Sequence, residues 1–140
     1  MPTKMWGVTF DCHDPVRQAA FWATALSYEV EEAWTKVGES DAAVLLDPSS
    51  VGPALMFIQV PESKTVKNRV HLDLVPEMSI EVEVERLTTA GAHALRTVQE
   101  SEEDADAAIW TVMQDPEGNE FCVGESMSRR RGTGPVWENR

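Results

Sequence analysis

Few residues of this chain could carry chemistry. There are three histidines, His13, His71 and His93, and two cysteines, Cys12 and Cys122. Three carboxylates interrupt apolar, strand-like runs: Asp11 in Phe10-Asp11-Cys12, Asp73 in Leu72-Asp73-Leu74 and Glu120 in Asn119-Glu120-Phe121. Imidazole serves as a base or a metal ligand near neutral pH, while carboxylate and thiolate are metal donors of different softness. No nucleophile, base and orienting acid stand in the arrangement covalent catalysis requires. A facial triad for oxygen chemistry needs two histidines and a carboxylate. Here His13 falls near a strand end and His93 just after a helix, away from the strand that carries His71.

Each of these residues also has a structural reading. Asp11 and Asp73 sit in matching contexts, which fits a bond to backbone or to an arginine such as Arg69 as well as a place in a ligand site. His71 shares a strand face with Asp73 and reads as a hydrogen-bonded histidine or as a ligand or base. Glu120 reads as a strand-edge carboxylate or a catalytic acid. Cys122 reads as a small buried apolar group or a nucleophile.

The elements that position these residues occur twice. Asp11 and Asp73 each end an apolar strand ahead of a helical stretch, at an offset of 62. Ser27 and Gly91 follow the two helices at an offset of 64, and Asp47-Pro48 and Asp115-Pro116 precede the last strands at 68. A growing offset is what loop insertions in the second copy produce. Asp14 and Pro15 open the first helix as N-cap and first helical residue. Its predicted core face is Val16, Ala20 and Ala23, with Phe21 or Trp22. In the second helix, Ile80, Val84 and Leu87 form the apolar stripe, so an offset of 64 predicts that the two helices bury the same face. Strands are expected over residues 5–12, 28–36, 42–46 and 54–60, then 69–74, 92–98, 108–114 and 120–124. The pattern is βαβββ, twice, over 4–62 and 68–127, with a tail over 128–140 that contains Trp137.

Composition narrows the function classes. The chain has 140 residues, a net charge of −12, 42% hydrophobic and 26% charged residues. That profile fits a globular domain and counts against nucleic acid, whose phosphates need a Lys/Arg footprint. No apolar run approaches the roughly 18 residues of a membrane span. The two cysteines, far apart, are expected as thiols rather than a disulfide, which points to a cytoplasmic protein.

Four segments together carry a resemblance. They are Asp11-Cys12-His13-Asp14-Pro15 with Phe21-Trp22, then Val60-Pro61-Glu62-Ser63-Lys64, then Asn68 to Leu74, and finally Asp115 to Cys122. The chain resembles the vicinal oxygen chelate superfamily of glyoxalases, bleomycin-resistance proteins and dioxygenases, over residues 4 to 127. It is most similar to the glyoxalase-like branch of small bacterial proteins. The resemblance implies an α+β fold, two tandem βαβββ modules whose curved mixed sheet surrounds a cleft. It also implies a homodimer and, in the enzymes, one divalent metal (Zn, Ni, Mn or Fe) that holds two vicinal substrate oxygens. Where the family places Gly after the first helix, this chain has Ser27, whose Cβ asks for a different turn.

Carried onto this sequence, the family pattern puts a ligand at His71 and its last-strand carboxylate at Cys122, with Glu120 two residues earlier. The first-module counterpart of His71 is Gly7 or Thr9, neither a usual ligand. Gln59 could serve as a weak oxygen ligand. The expected site is therefore His71 and Glu120 for catalysis, His71, Gln59 and Cys122 for metal, and Asp11, Asp73, Phe57 and Trp110 for a small-molecule ligand. Trp6, Trp34, Trp110, Phe57 and Tyr28 all fall on expected strands, where one or two could line a cleft for a planar ligand. Three functions follow: a metal-assisted lyase or isomerase, a non-catalytic binder of an antibiotic or metabolite, and a module working through protein contacts. The negative charge favours cationic ligands for the binder.

Overall fold

The computed structural model describes residues 1–36, 38, 41–104 and 107–125. Two compact units divide the chain, Met1–Val66 and Lys67–Arg140. The fold is α+β, and each unit is one βαβββ module.

Unit 1 contains β1 (Gly7–Cys12), α1 (Pro15–Leu26), β2 (Glu29–Val30), β3 (Ala42–Leu46) and β4 (Ala54–Gln59). Its sheet runs β1-β4-β3-β2, with β1 parallel to β4 and the other pairs antiparallel. Unit 2 repeats this with β5 (Asp73–Leu74), α2 (Ile80–Thr89), β6 (His93–Gln99), β7 (Ile109–Gln114) and β8 (Glu120–Gly124). Its order is β5-β8-β7-β6, again with one parallel pair, β5 and β8. Among the described residues, no helix is long and apolar enough to cross a membrane.

Each sheet packs one face on its helix. In unit 1 that core holds Leu45, Leu55, Phe57 and Trp22, and Phe10 stacks on Phe57 with ring centroids 5.2 Å apart. In unit 2 it holds Leu87, Met113, Phe121 and Val123. Side chains alternate between faces along a strand, so the odd-numbered residues of β4 and β8 set the core.

Both helices open as their sequences dictate. Asp14 accepts from the Arg17 N–H with Pro15 at the first position, and Ser79 accepts from the Val82 N–H. The expected stripe holds for α2, where Leu87 is buried and Ile80 and Val84 are half-buried. In α1 Phe21 and Trp22 are buried as expected, but Val16 is 47% exposed and Ala20 exposed, and Pro15, Gln18 and Ala19 are buried instead. The error is one residue, which is a 100° turn of the helix. Burial of the polar Gln18 is what the apolar pattern could not show.

Both helices end with the same closing backbone bond. The Tyr28 N–H donates to the Ala23 carbonyl and the Ala92 N–H to the Leu87 carbonyl, while Ser27 and Gly91 both take positive φ (56° and 121°). Ser27 thus keeps the closing backbone bond but at a φ about 65° from that of Gly91, the different turn that its Cβ asks for.

Several strands are shorter than expected. The stretch over 28–36 forms β2 at two residues only; the chain then turns, with the Glu31 carbonyl accepting from Trp34 and Thr35. Trp34 thus lies in a turn, and it meets Trp6, which precedes β1, at 6.0 Å. The stretch over 69–74 pairs as a strand only at Asp73 and Leu74. Trp137 and the tail over 128–140 lie outside the described residues.

Strand register corrects the first repeat offset. The loops begun by Asp47 and Asp115 match, so Leu45 corresponds to Met113 and, across the ladders, Leu55 to Phe121 and Phe57 to Val123. Phe10 opposite Phe57 then corresponds to Leu74 opposite Val123. The counterpart of Asp73 is Thr9, the counterpart of His71 is Gly7, and Asp11 stands two residues beyond. The recurrence of Asp11 and Asp73 is a coincidence of residue type, not an equivalence of position.

Candidate functional site

The side of the unit 2 sheet away from α2 carries the polar residues. Residues opposite one another in a ladder point to the same side. Cys122 on β8 stands between Asp73 on β5 and Val112 on β7, and Arg96 on β6 stands opposite Val112. Trp110, opposite Gly124, is half-buried on that same face. His71, two residues before Asp73, projects beside it, with Nδ1 3.5 Å from the Asp73 carboxylate.

His71, Asp73 and Cys122 converge. One ligating atom from each lies within 4.8 Å of the others. Among the described residues this is the group of His, Cys, Asp and Glu that could hold a metal. His71 and Asp73 are exposed, whereas Cys122 is half-buried in the middle of its ladder. Burial pushes the Cys122 thiol up, and so do the Asp73 charge and the hydrogen bond to Asp73; Lys67 and Arg96 pull the other way. A cation bound between these residues would reverse the effect of Asp73 and favour thiolate. One imidazole nitrogen, one carboxylate oxygen and one sulfur form a donor set that fits a divalent ion with a position left open.

Glu120 plays a different part. Its carboxylate accepts from the Asn68 N–H at 2.9 Å, and the Asn68 side-chain amide donates to the Glu120 carbonyl at 3.5 Å. With the Leu72 carbonyl accepting from the Cys122 N–H at 2.9 Å, these bonds tie the segment leading to His71 onto β8. Glu120 is thereby joined to the segment that leads to His71.

Two expected residues leave the site. Phe57 is wholly buried, part of the unit 1 core. Gln59 shares its parity and so belongs to the helix-packed face of β4, where its amide donates to the His13 carbonyl at 3.2 Å. The unit 1 residue matching Cys122 is Met56, on the other face. Asp11 is exposed at the end of β1, and its place in unit 2 is taken by Val75. Gly7 matches His71, and a Cβ built there lies 2.6 Å from the Ala54 carbonyl oxygen. Unit 1 has no room for a ligand side chain at that position unless its backbone shifts.

Sequence reasoning placed Asp73 with the ligand-binding residues and did not put it beside the metal donors. Its parity with His71 and the carboxylate chemistry were the available signals, and the false match with Asp11 drew attention to a structural role. Lys67 and Arg96 carried no signal beyond charge.

Two α+β βαβββ modules in tandem are the arrangement expected of a vicinal oxygen chelate protein. The family model described as a glyoxalase-like domain matches residues 7–124, and the chain belongs to that family. Among curated proteins, none matches the sequence. Solved structures share the fold at low identity. Fosfomycin resistance protein FosX from Mesorhizobium loti is 12% identical with a TM-score of 0.66, over 94% of this chain and 99% of that one. A point mutant of FosX from Listeria monocytogenes, complexed with Mn(II) and 1S,2S-dihydroxypropylphosphonic acid, is 12% identical with a TM-score of 0.70 over 94% and 98%. A glyoxalase/bleomycin resistance protein/dioxygenase family enzyme from Burkholderia phytofirmans PsJN is 17% identical with a TM-score of 0.60 over 84% and 94%.

Proposed function

We propose that this protein is a glyoxalase-like enzyme of lyase or isomerase type, acting on a small oxygenated metabolite with one divalent metal held by His71, Asp73 and Cys122. The observation that carries the reading is the convergence of those three donors on one sheet face. When bound, the ion supplies Lewis-acid stabilisation of an oxyanion. The protein's own residues do the rest. Glu120 holds the His71 segment in place, Trp110 gives the face an apolar wall, and Lys67 and Arg96 bring positive charge that attracts an anionic group on the substrate. The Mn(II) in the FosX complex supports a metal in this fold. Cys12 and Cys122, thiols rather than a disulfide, support a reducing, cytoplasmic setting. The seven-residue edge strand β6 supports a homodimer, because an open edge favours pairing with a second copy.

A second reading, a non-catalytic binder of the bleomycin-resistance type, is favoured by Gly7 and Met56. Neither offers unit 1 a counterpart of His71 or Cys122.

Thermal unfolding of chelator-stripped protein with Zn²⁺, Ni²⁺, Mn²⁺ or Fe²⁺ tests the choice. The enzyme reading expects a saturable rise in Tm with at least one ion. His71→Ala should abolish that rise and change metal-free stability by no more than about 0.5 kcal/mol, as for an exposed side chain. No rise with any ion, or a rise that survives His71→Ala, shifts the conclusion to the binder. With a metal bound, turnover of 2-oxoaldehydes or related vicinal dioxygen compounds is the next measurement.

A further inference from the structure

The metal site proposed above has sulfur at the β8 position where the resemblance places a carboxylate. We infer that the site selects thiophilic divalent ions of the Zn²⁺ and Co²⁺ kind over Mn²⁺ and Mg²⁺, with the Cys122 sulfur bonded to the ion and Asp73 as the third protein ligand. The inference rests on the metal reading of the previous section and sharpens it.

Donor chemistry comes first. Thiolate and imidazole favour zinc, nickel and cobalt, whereas manganese and magnesium favour sets built from carboxylate, carbonyl and water. The cluster offers Asp73 as its one carboxylate. Glu120, on the same face of β8, has its carboxylate engaged by the Asn68 N–H at 2.9 Å. An oxygen-rich shell is therefore not what this face presents.

Geometry agrees. Cys122 lies inside a ladder flanked by β5 and β7, so its sulfur is the fixed point of the site. His71 and Asp73 are exposed, with side chains 41% and 76% accessible, and they pair beside it. Tetrahedral donors with bonds of about 2.0–2.3 Å stand about 3.3–3.8 Å apart. His71 and Asp73 already meet that at 3.5 Å. The three donor atoms lie within 4.8 Å of one another, so the widest spacing exceeds the tetrahedral one by at most about 1.5 Å. Three protein donors leave the fourth position for water or substrate oxygen.

Cobalt titration of the chelator-stripped full chain is the test. Wild type should bind one equivalent of Co²⁺ with a near-ultraviolet sulfur-to-cobalt charge-transfer band. Zn²⁺ should displace it, and Mn²⁺ in about a hundredfold excess should not. Cys12→Ser should keep the band and Cys122→Ser should lose it. Asp73→Asn should keep the band but weaken Co²⁺ binding about tenfold or more, which holds the test open if Cys122→Ser does not fold. Cys122→Asp should bind metal without the band and narrow the Zn²⁺ over Mn²⁺ preference at least about tenfold. Co²⁺ bound without a charge-transfer band, or displaced equally well by Mn²⁺, overturns the sulfur assignment and leaves the metal reading standing. An absence of binding by every ion overturns both.

Discussion

The two units of this protein have one frame and two different faces. Both run βαβββ, both end the helix with a backbone bond across a positive-φ residue, and both open the last loop with an aspartate. Asp47 accepts from the backbone N–H groups of Ser49, Val51 and Gly52, and Asp115 from those of Glu117 and Asn119. On the sheet face away from the helix the likeness stops. Where unit 2 carries His71, Asp73 and Cys122, unit 1 carries Gly7, Thr9 and Met56. The frame depends on core residues and turn chemistry, so the other face can change its donors without disturbing the fold. Equivalence of position and equivalence of residue type are separate properties in a repeated chain.

The sharpest way to break this comparison is to put a side chain at Gly7. A Cβ there meets the Ala54 carbonyl oxygen at 2.6 Å, and a backbone atom cannot move aside cheaply. Gly7→Ala should cost about 1–3 kcal/mol in denaturant unfolding. His71→Gly at the matching place in unit 2 should cost under about 1 kcal/mol, since that side chain is exposed. Equal costs at the two positions would mean that unit 1 is not closed to a ligand, and that its lack of one is not steric.

The part of this contrast legible in the sequence was the frame. Asp47-Pro48 and Asp115-Pro116, Ser27 and Gly91, and the Ile80, Val84, Leu87 stripe are local signals that the structure keeps, whereas the stripe of α1 is displaced by one residue. The offset between β1 and β5 was not legible, because a short apolar-Asp-apolar run matches equally well two residues along. Ladder register decides it, and register depends on residues more than 40 positions away. The same cause misassigned Gln59. Its parity with Phe57 was read correctly, but which face of β4 meets α1 follows from the buried Leu55 and Phe57 against Trp22. His71 and Cys122 were brought forward by resemblance alone, whereas the bond between Glu120 and the Asn68 backbone could be seen only in the structure.

A smaller effect of pH is expected at the Asp47 loop. The Gly52 N–H, followed by the Ser49 hydroxyl and the Ser49 and Val51 N–H groups, holds Asp47 down from the ordinary 3.8 to about 2. A carboxyl depressed in the folded state adds stability that is present above its unfolded value and lost as pH falls through its folded value. Wild type should therefore lose this part of its stability between about pH 4 and pH 2. Asp47→Asn should be less stable at neutral pH and show a flatter stability profile across that window. An unchanged acid profile would mean that the loop of unit 1 is held by its backbone turns rather than by the aspartate charge.

The smallest expected effect has the opposite sign. Ser27 and Gly91 stand inside the same helix-ending backbone bond, but Ser27 does so with a Cβ at φ 56° and ψ 39°. Left-handed backbone costs a residue with a side chain about 1 kcal/mol relative to glycine. Glycine gives back part of that through the greater freedom of its unfolded chain. Ser27→Gly should thus stabilise the protein by a net of about 0.5 kcal/mol or slightly more in denaturant unfolding. Gly91→Ser, the reciprocal change, should destabilise by a larger amount, because Gly91 has φ 121°, outside the region that side-chain-bearing residues adopt. If Ser27→Gly destabilises instead, the serine side chain contributes to the turn and the two helix ends are not built on the same device.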